Sequence, residues 1–321
     1  MTSLGSLRVK SLASLSLILL FILAACGTSG NTAPPSSSGG NGTTAAKGPI
    51  TIGSKLDPES QLLGKMYSLL LQKAGYTVNE KLALGNSNFV LSAIKSGNID
   101  LYPEFTATGL NALNIPSTYD PQKDYQAVKD GFNSQYQITW LDMSPLNDGY
   151  ALCTSQAESQ KLGVTTISQL VPKAGDLLLT SPSDGVSFVD GLKTAYGLTT
   201  KSFKKTTTVD YAIGFQAVTN NQAQMTVCYT TDGSVTTNNF IFLDDDKHGF
   251  PEFHPAPIVR NSVLQKYPDI ATVLNPLAPD LTTAVSIDLQ GKVATLKKAG
   301  TSVNQGVTQV ATDFLKSKGL L

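Results

Sequence analysis

Asn98-Ile-Asp-Leu-Tyr-Pro-Glu-Phe-Thr-Ala-Thr-Gly-Leu110 is the stretch from which the fold is read. Its apolar run, Ile99 to Tyr102, is expected to form a buried strand that ends at Pro103. Glu104, Phe105, two threonines and Gly109 follow, an order that reads as a strand opening onto a loop and a helix start. In an open α/β sheet the end of such a strand is where ligands sit.

Working back toward the N-terminus, Ile50 to Ser54 reads as a strand entering a glycine turn, with Lys55 at its end. Pro58 opens a helix whose apolar residues Leu62, Leu63, Met66, Leu69 and Leu70 recur at helical spacing, and Gly75 stops it. Tyr76 to Leu82 is the next strand, and Phe89 to Lys95 a helix closed by Gly97. Strand, helix, strand, helix, strand predicts the start of a parallel α/β sheet.

Working forward, Tyr125 to Tyr136 reads as a helix and Thr139 to Leu141 as a strand, before the turn-rich segment Pro145 to Gly149. A first crossing between two units is placed there. A second α/β unit starts at Tyr150, with strands near Leu152, Asp176 to Thr180 and Met225 to Tyr229. Its helices are expected near Ile167, over Val186 to Tyr196 and around Tyr211 to Val218. Ile258 to Arg260 reads as the return to the first unit, and helices through Lys318 complete it. The expected divisions are a signal segment 1–25, a tether 26–48, a first lobe 49–146, a second lobe 147–250 and the first lobe's return 251–321.

The length of 321 residues suits two cores rather than one, and 41% hydrophobic with 15% charged residues is a globular composition. Arg8 and Lys10 precede an apolar run, Leu12 to Ala25, which ends Leu23-Ala-Ala-Cys26-Gly27. That ending resembles the lipobox of bacterial lipoproteins, in which the cysteine carries lipid and becomes the first residue. Diacyl and N-acyl chains on Cys26 would hold the protein on the outer face of a membrane. The Gly/Ser/Thr/Asn/Pro-rich stretch that follows has no apolar period and is expected to be a flexible tether. Without Arg8 and Lys10 the chain carries 22 basic against 24 acidic residues, so it presents no basic field for nucleic acid. Cys153 and Cys228 each lie in a strand-like run, and the sequence leaves open a disulfide or two buried thiols.

Several stretches, taken in order, resemble one family. They are Ile52-Gly-Ser-Lys55, Leu63-Gly64, Ala93 through Gly109, Tyr229-Thr-Thr-Asp-Gly233, Leu243-Asp-Asp-Asp-Lys247 and Phe250-Pro-Glu-Phe253. The chain is similar in these to the substrate-binding lipoproteins of ABC importers for glycine betaine, choline, carnitine and proline betaine. The resemblance implies an α/β architecture of the type II periplasmic-binding-protein fold, two lobes joined by two hinge strands. It also implies a permease and an ATPase as partners, an extracytoplasmic location and no cofactor.

A quaternary ammonium has no N–H to donate, so aromatic ring faces hold it. By the resemblance the rings are Phe105, Tyr150, Tyr229 and Phe253, while Lys55 and the Thr108 hydroxyl meet the other end of a zwitterion. Asp148 is expected to pair with the cationic head or to brace a ring. One departure matters: the family's second-lobe arginine falls in a stretch like Thr180 to Gly185, and the only arginines here are Arg8 and Arg260. Losing a bidentate clamp weakens the case for a carboxylate and points to a choline-like solute, or to a betaine held by Lys55.

Two other classes compete. An extracellular enzyme would need a nucleophile with its base, or a metal. The two histidines, His248 and His254, beside Asp244 to Asp246 match no ligand spacing, and neither a Gly-x-Ser-x-Gly elbow nor a phosphate loop occurs. A structural or adhesive surface lipoprotein would share the lipobox and tether, but gives the aromatics and Lys55 no reason to converge; a surface lipoprotein binding a different small polar solute would keep the fold and change the cargo.

Overall fold

A computed structural model describes residues 47–183, 185–233, 235 and 239–321. The expected signal segment, lipid-bearing Cys26 and nearly all of the tether lie outside these residues. The first strands are β1 (Lys47–Lys55), β2 (Tyr76–Gly85), β3 (Leu101–Phe105) and β4 (Ile138–Trp140). They alternate with helices α1 (Pro58–Lys73), α2 (Ser87–Lys95), α3 (Thr106–Leu113) and α4 (Pro121–Tyr136). A second set follows: β5 (Tyr150–Ser155), β6 (Leu178–Ser181), β7 (Lys205–Thr208), β8 (Met225–Tyr229) and β9 (Phe240–Phe242). Its helices include α5 (Gln156–Leu162), α6 (Ile167–Leu170), α7 (Gly185–Gly191), α8 (Lys193–Tyr196) and α9 (Tyr211–Thr219). Then β10 (Pro255–Arg260) returns, followed by α10 (Asn261–Lys266), α11 (Ile270–Leu274), α12 (Thr283–Lys298) and α13 (Val303–Ser317).

One sheet has the order β2-β1-β3-β10-β4 and the other β7-β6-β8-β5-β9. In the first, β1 runs parallel to β2 and β3, while the returning β10 runs antiparallel to β3 and β4. In the second, β6 is parallel to β7 and β8, and β5 is antiparallel to β8 and β9. This is the type II periplasmic-binding-protein fold: two α/β lobes, each with one antiparallel strand inserted beside its parallel strands. Among the described residues no helix is long and apolar enough to cross a membrane.

Each sheet is covered on both faces, and the period of two divides its residues between two cores. Leu101 and Phe105 of β3 join the core under α1 and α13, while Tyr102 points into the core under α3 and α4. In β5, Leu152 faces one core and Ala151 and Cys153 the other. The helix α1 starts where it does because Asp57 accepts from the Ser60 N–H (2.6 Å) and Pro58 follows directly. It packs close to the sheet at Gly64, where a Cβ would lie 2.9 Å from Leu82 and 3.2 Å from the Gly53 carbonyl.

Five local expectations need correction or completion. Pro103 does not end its strand, which continues through Phe105 with Pro103 opposite Pro257. The Pro257 carbonyl accepts from Leu141 on its other side (2.9 Å). The two prolines therefore face each other without exchanging ladder bonds. The helix expected over Val186 to Tyr196 is broken into α7 and α8, because the Leu192 N–H bonds the Val189 carbonyl in a tighter, three-residue turn (3.1 Å). Lys47 and Gly48 belong to β1 rather than to the tether, Lys47 donating from its backbone to Gly75 (2.9 Å). The polar Lys-Thr-Thr-Thr run of β7, unread in the sequence, is an edge strand. Cys153 and Cys228 are joined in a disulfide across the neighbouring strands β5 and β8.

Candidate ligand-binding site

The site is built at strand ends and at the chain's crossings between lobes. Tyr150 opens β5 and Tyr229 closes β8, and the antiparallel register sets them directly opposite each other. Directly opposed residues project on the same face, so their rings meet at 5.1 Å between centroids. Phe253 comes from the second crossing, where its N–H donates to Asn147 Oδ1 of the first crossing (2.9 Å). Its ring meets Tyr150 edge to face at 6.0 Å.

Two further rings complete the cluster. Phe188 of α7 stacks on Tyr150 at 4.1 Å and 20°, and meets Phe253 at 5.8 Å. Tyr211, first residue of α9, lies 4.9 Å from Tyr229. Its hydroxyl donates to Asp232 (2.6 Å) and accepts from the Tyr229 N–H (3.2 Å). Tyr150, Phe188, Tyr229 and Phe253 are all half-buried, so the cluster keeps open ring surface. The sequence reading missed Phe188 and Tyr211. Phe188 directly follows the stretch in which the family's arginine was sought, and that adjacency was the available signal.

Phe105, expected as a fourth wall, lines the same cleft but stands apart. Among the described residues no ring pairs with it; instead Lys55 Nζ lies 4.6 Å from its centroid. Lys55 ends β1 and is itself buried, forming an ion pair with Glu104 of β3. The Glu104 carboxylate also accepts from the Tyr102 hydroxyl (2.7 Å) and the Phe105 N–H (2.8 Å). Burial and the Glu104 charge push the Tyr102 hydroxyl well above its ordinary range. Lys55, expected to meet a ligand carboxylate, lines the cleft with its ammonium paired to Glu104.

Thr108 of α3 lines the cleft, half-buried. Asp148, in the first crossing, accepts from the Thr231 hydroxyl (2.6 Å), and its own N–H donates to the Phe253 carbonyl (3.0 Å). Burial pushes its carboxyl up to about 6. Glu59 of α1, which the sequence reading did not single out, lines the same cleft and is buried; burial, with the Asp148 charge second, pushes its carboxyl well above the usual range. Of the two histidines, His254 is buried away from the acidic run, bonded to the Leu146 carbonyl (2.8 Å) and Glu252 (2.6 Å). Asp245 of that run accepts from Tyr196, Gly249 and Phe250.

A type II fold with half-buried rings gathered at the crossings between two lobes defines a class, the solute-binding proteins. Residues 48–317 match the family described as the substrate-binding domain of ABC-type glycine betaine transport systems. The glycine betaine-binding protein YehZ of Escherichia coli is 29% identical over 290 residues, covering 85% of this chain and 92% of that protein. A glycine-betaine-binding protein of Pseudomonas aeruginosa is 30% identical over 288 residues, covering 85% and 88%. The solved structure of apo YehZ from Escherichia coli superposes with a TM-score of 0.69 at 27% identity, over 86% of this chain and all of that one. The chain belongs to this family of ABC-importer substrate-binding proteins.

Proposed function

We propose that the protein captures a quaternary ammonium solute, glycine betaine, choline or a similar compound, between its lobes. It then hands that solute to the permease of an ATP-driven importer. It acts from the outer face of the membrane, held by lipid on Cys26, and it binds and releases its solute without transforming it. Phe105, Thr108, Asp148, Tyr150, Tyr229 and Phe253 face the solute, with Lys55 beneath Phe105, and the geometry adds Phe188 and Tyr211 to the walls.

The observation that carries this reading is that Tyr150, paired with Tyr229 in one lobe, meets Phe253 from the returning crossing. A methylated ammonium offers water and protein no N–H, so ring quadrupoles are the groups that gain most by meeting it, roughly 0.5–2 kcal/mol each. A thermal-shift screen of quaternary amines tests it. A true ligand at about a hundred times its dissociation constant adds roughly 2.7 kcal/mol of stability. Tyr150→Ala and Phe253→Ala should each weaken binding by roughly 2- to 30-fold. A protein whose melting temperature answers to no quaternary amine, or whose ring variants bind as tightly as wild type, would not fit the reading.

A further inference from the structure

Phe253 sits between two residues whose side chains bond each other, Glu252 and His254. Glu252 is half-buried and His254 is 7% exposed. His254 Nε2 lies 2.6 Å from Glu252 Oε2, and Nδ1 lies 2.8 Å from the Leu146 carbonyl of the first crossing. A carbonyl oxygen only accepts, so Nδ1 carries a hydrogen. The Nε2 contact then needs a hydrogen of its own, because otherwise a lone pair would face a carboxylate. The bond from His254 holds the Glu252 carboxyl below its usual range, so that hydrogen belongs to the ring. Both bonds together therefore require the doubly protonated imidazole. A neutral ring has one hydrogen for two acceptors, and either the link to Leu146 or the link to Glu252 opens.

These bonds stand behind one wall of the cleft. The Phe253 ring meets Tyr150 at 6.0 Å and Phe188 at 5.8 Å. Toward the first lobe the second crossing is gripped by Thr106, whose Oγ1 donates to the Glu252 carbonyl (3.0 Å) and accepts from the His254 N–H (3.0 Å). Toward the first crossing, the Phe253 N–H donates to Asn147 Oδ1 (2.9 Å), the Asp148 N–H donates to the Phe253 carbonyl (3.0 Å), and the His254 ring reaches Leu146. Of these bonds, those of the His254 ring are the ones a proton controls. The charged and titratable groups on the neighbouring segments are Asp148 in the first crossing, Glu104 with its partner Lys55 at the end of β3, and His248 ahead of the second crossing. Beyond Leu281, which accepts from the Leu146 N–H, lies the pair Asp280–Lys318. Among the described residues His254 makes its ion pair with Glu252, and His248 is the further charge acting on Glu252.

We propose that His254 is a positioning residue for Phe253: its second ring proton fastens the two crossings together, and the site loses affinity for its solute as rising pH removes that proton. The inference rests on the quaternary-ammonium reading above and adds a proton-linked control to that site. The fastening is whole on the acid side and opens as pH rises through the imidazole titration. The Glu252 charge then left unpaired would by itself draw a cation in, so weaker binding at high pH reports position rather than charge. Asp148 acts with the opposite sign: burial pushes its carboxyl up to about 6, and its ionisation as pH rises favours a cation. Comparing wild type with a variant at Glu252 cancels that contribution, which both proteins share.

Titration calorimetry with choline and glycine betaine, at about pH 6, 7.5 and 9, on wild type, Glu252→Gln and Glu252→Ala tests this; neither solute titrates in that range. In Glu252→Gln the amide N–H donates to the neutral Nε2 while Nδ1–H keeps Leu146, so the fastening survives without the proton. That variant should match wild type within about twofold at the lowest pH and bind at least about threefold more tightly at the highest, the worth of one hydrogen bond. Glu252→Ala, which cannot replace the bond, should bind at least about threefold more weakly than Glu252→Gln at every pH. Should Glu252→Ala not fold, wild type against Glu252→Gln decides alone. Glu252→Gln tracking wild type at all three pH values, or Glu252→Ala binding as tightly as Glu252→Gln, would each overturn the inference while leaving the proposed function standing. Failure of both solutes to bind any of the three proteins at any pH would instead remove the proposed function, and this inference with it.

Discussion

Glu104 shows how much one residue of the Asn98–Leu110 stretch does. It is 1% exposed and every described partner is a donor: the Lys55 ammonium, the Tyr102 hydroxyl and the Phe105 N–H. A buried carboxylate is tolerable only when so completely satisfied. Glu104→Ala would strand the Lys55 ammonium in the core, and urea denaturation should show a loss of about 3–5 kcal/mol. Glu104→Gln, which still accepts hydrogen bonds, should lose less. The sequence showed an acid beside an aromatic at a strand end. It did not show that the acid would pair with Lys55, because that pairing spans 49 residues and exists only once β1 and β3 lie side by side.

At the scale of elements, the sequence was most informative where periodicity was long. The apolar spacing of α1 and its Asp57-Pro58 start were legible, and so were the strands around Ile52 and Val227. Short or polar elements were not: β7 is four residues of lysine and threonine, and the α7–α8 break depends on one turn at Leu192. Gly109 illustrates the limit. In the sequence it is a glycine after two threonines; in the fold it is the place where α3 lies so near β4 that a Cβ would sit 2.7 Å from the Trp140 ring. The disulfide ties β5 to β8 across 75 residues of chain, just below the Tyr150–Tyr229 pair. Closing a loop of that length is worth roughly 4 kcal/mol on chain-entropy grounds. Cys153→Ala/Cys228→Ala should lower the denaturation midpoint accordingly while ligand affinity changes little, since the strand register that sets the rings is held by backbone bonds.

Across the whole molecule, the lobes communicate through two crossings that are bonded to each other. The Phe253 N–H donates to Asn147 Oδ1 (2.9 Å) and the Asp148 N–H to the Phe253 carbonyl (3.0 Å), while Thr230 Oγ1 of the second lobe donates to the Asn147 carbonyl (2.7 Å) and accepts from the Gly149 N–H (2.8 Å). The same few residues make the crossings and present Asp148, Tyr150 and Phe253 to the cleft, which predicts that filling the cleft shifts the angle between the lobes. Small-angle scattering should record a smaller radius of gyration on saturation with the preferred quaternary amine, and an unchanged one with an amine that does not bind. By itself the sequence determined the α/β class, the interruption of one lobe by another, and the residue types from which a site for a methylated cation is made. Local propensity, apolar period and ordered motifs act within a few residues and survive without a fold. Only the tertiary structure decided that Tyr150 faces Tyr229, that Phe188 joins them and that Lys55 pairs with Glu104. Each of those facts is a register or a contact between distant segments, and no short-range preference encodes it.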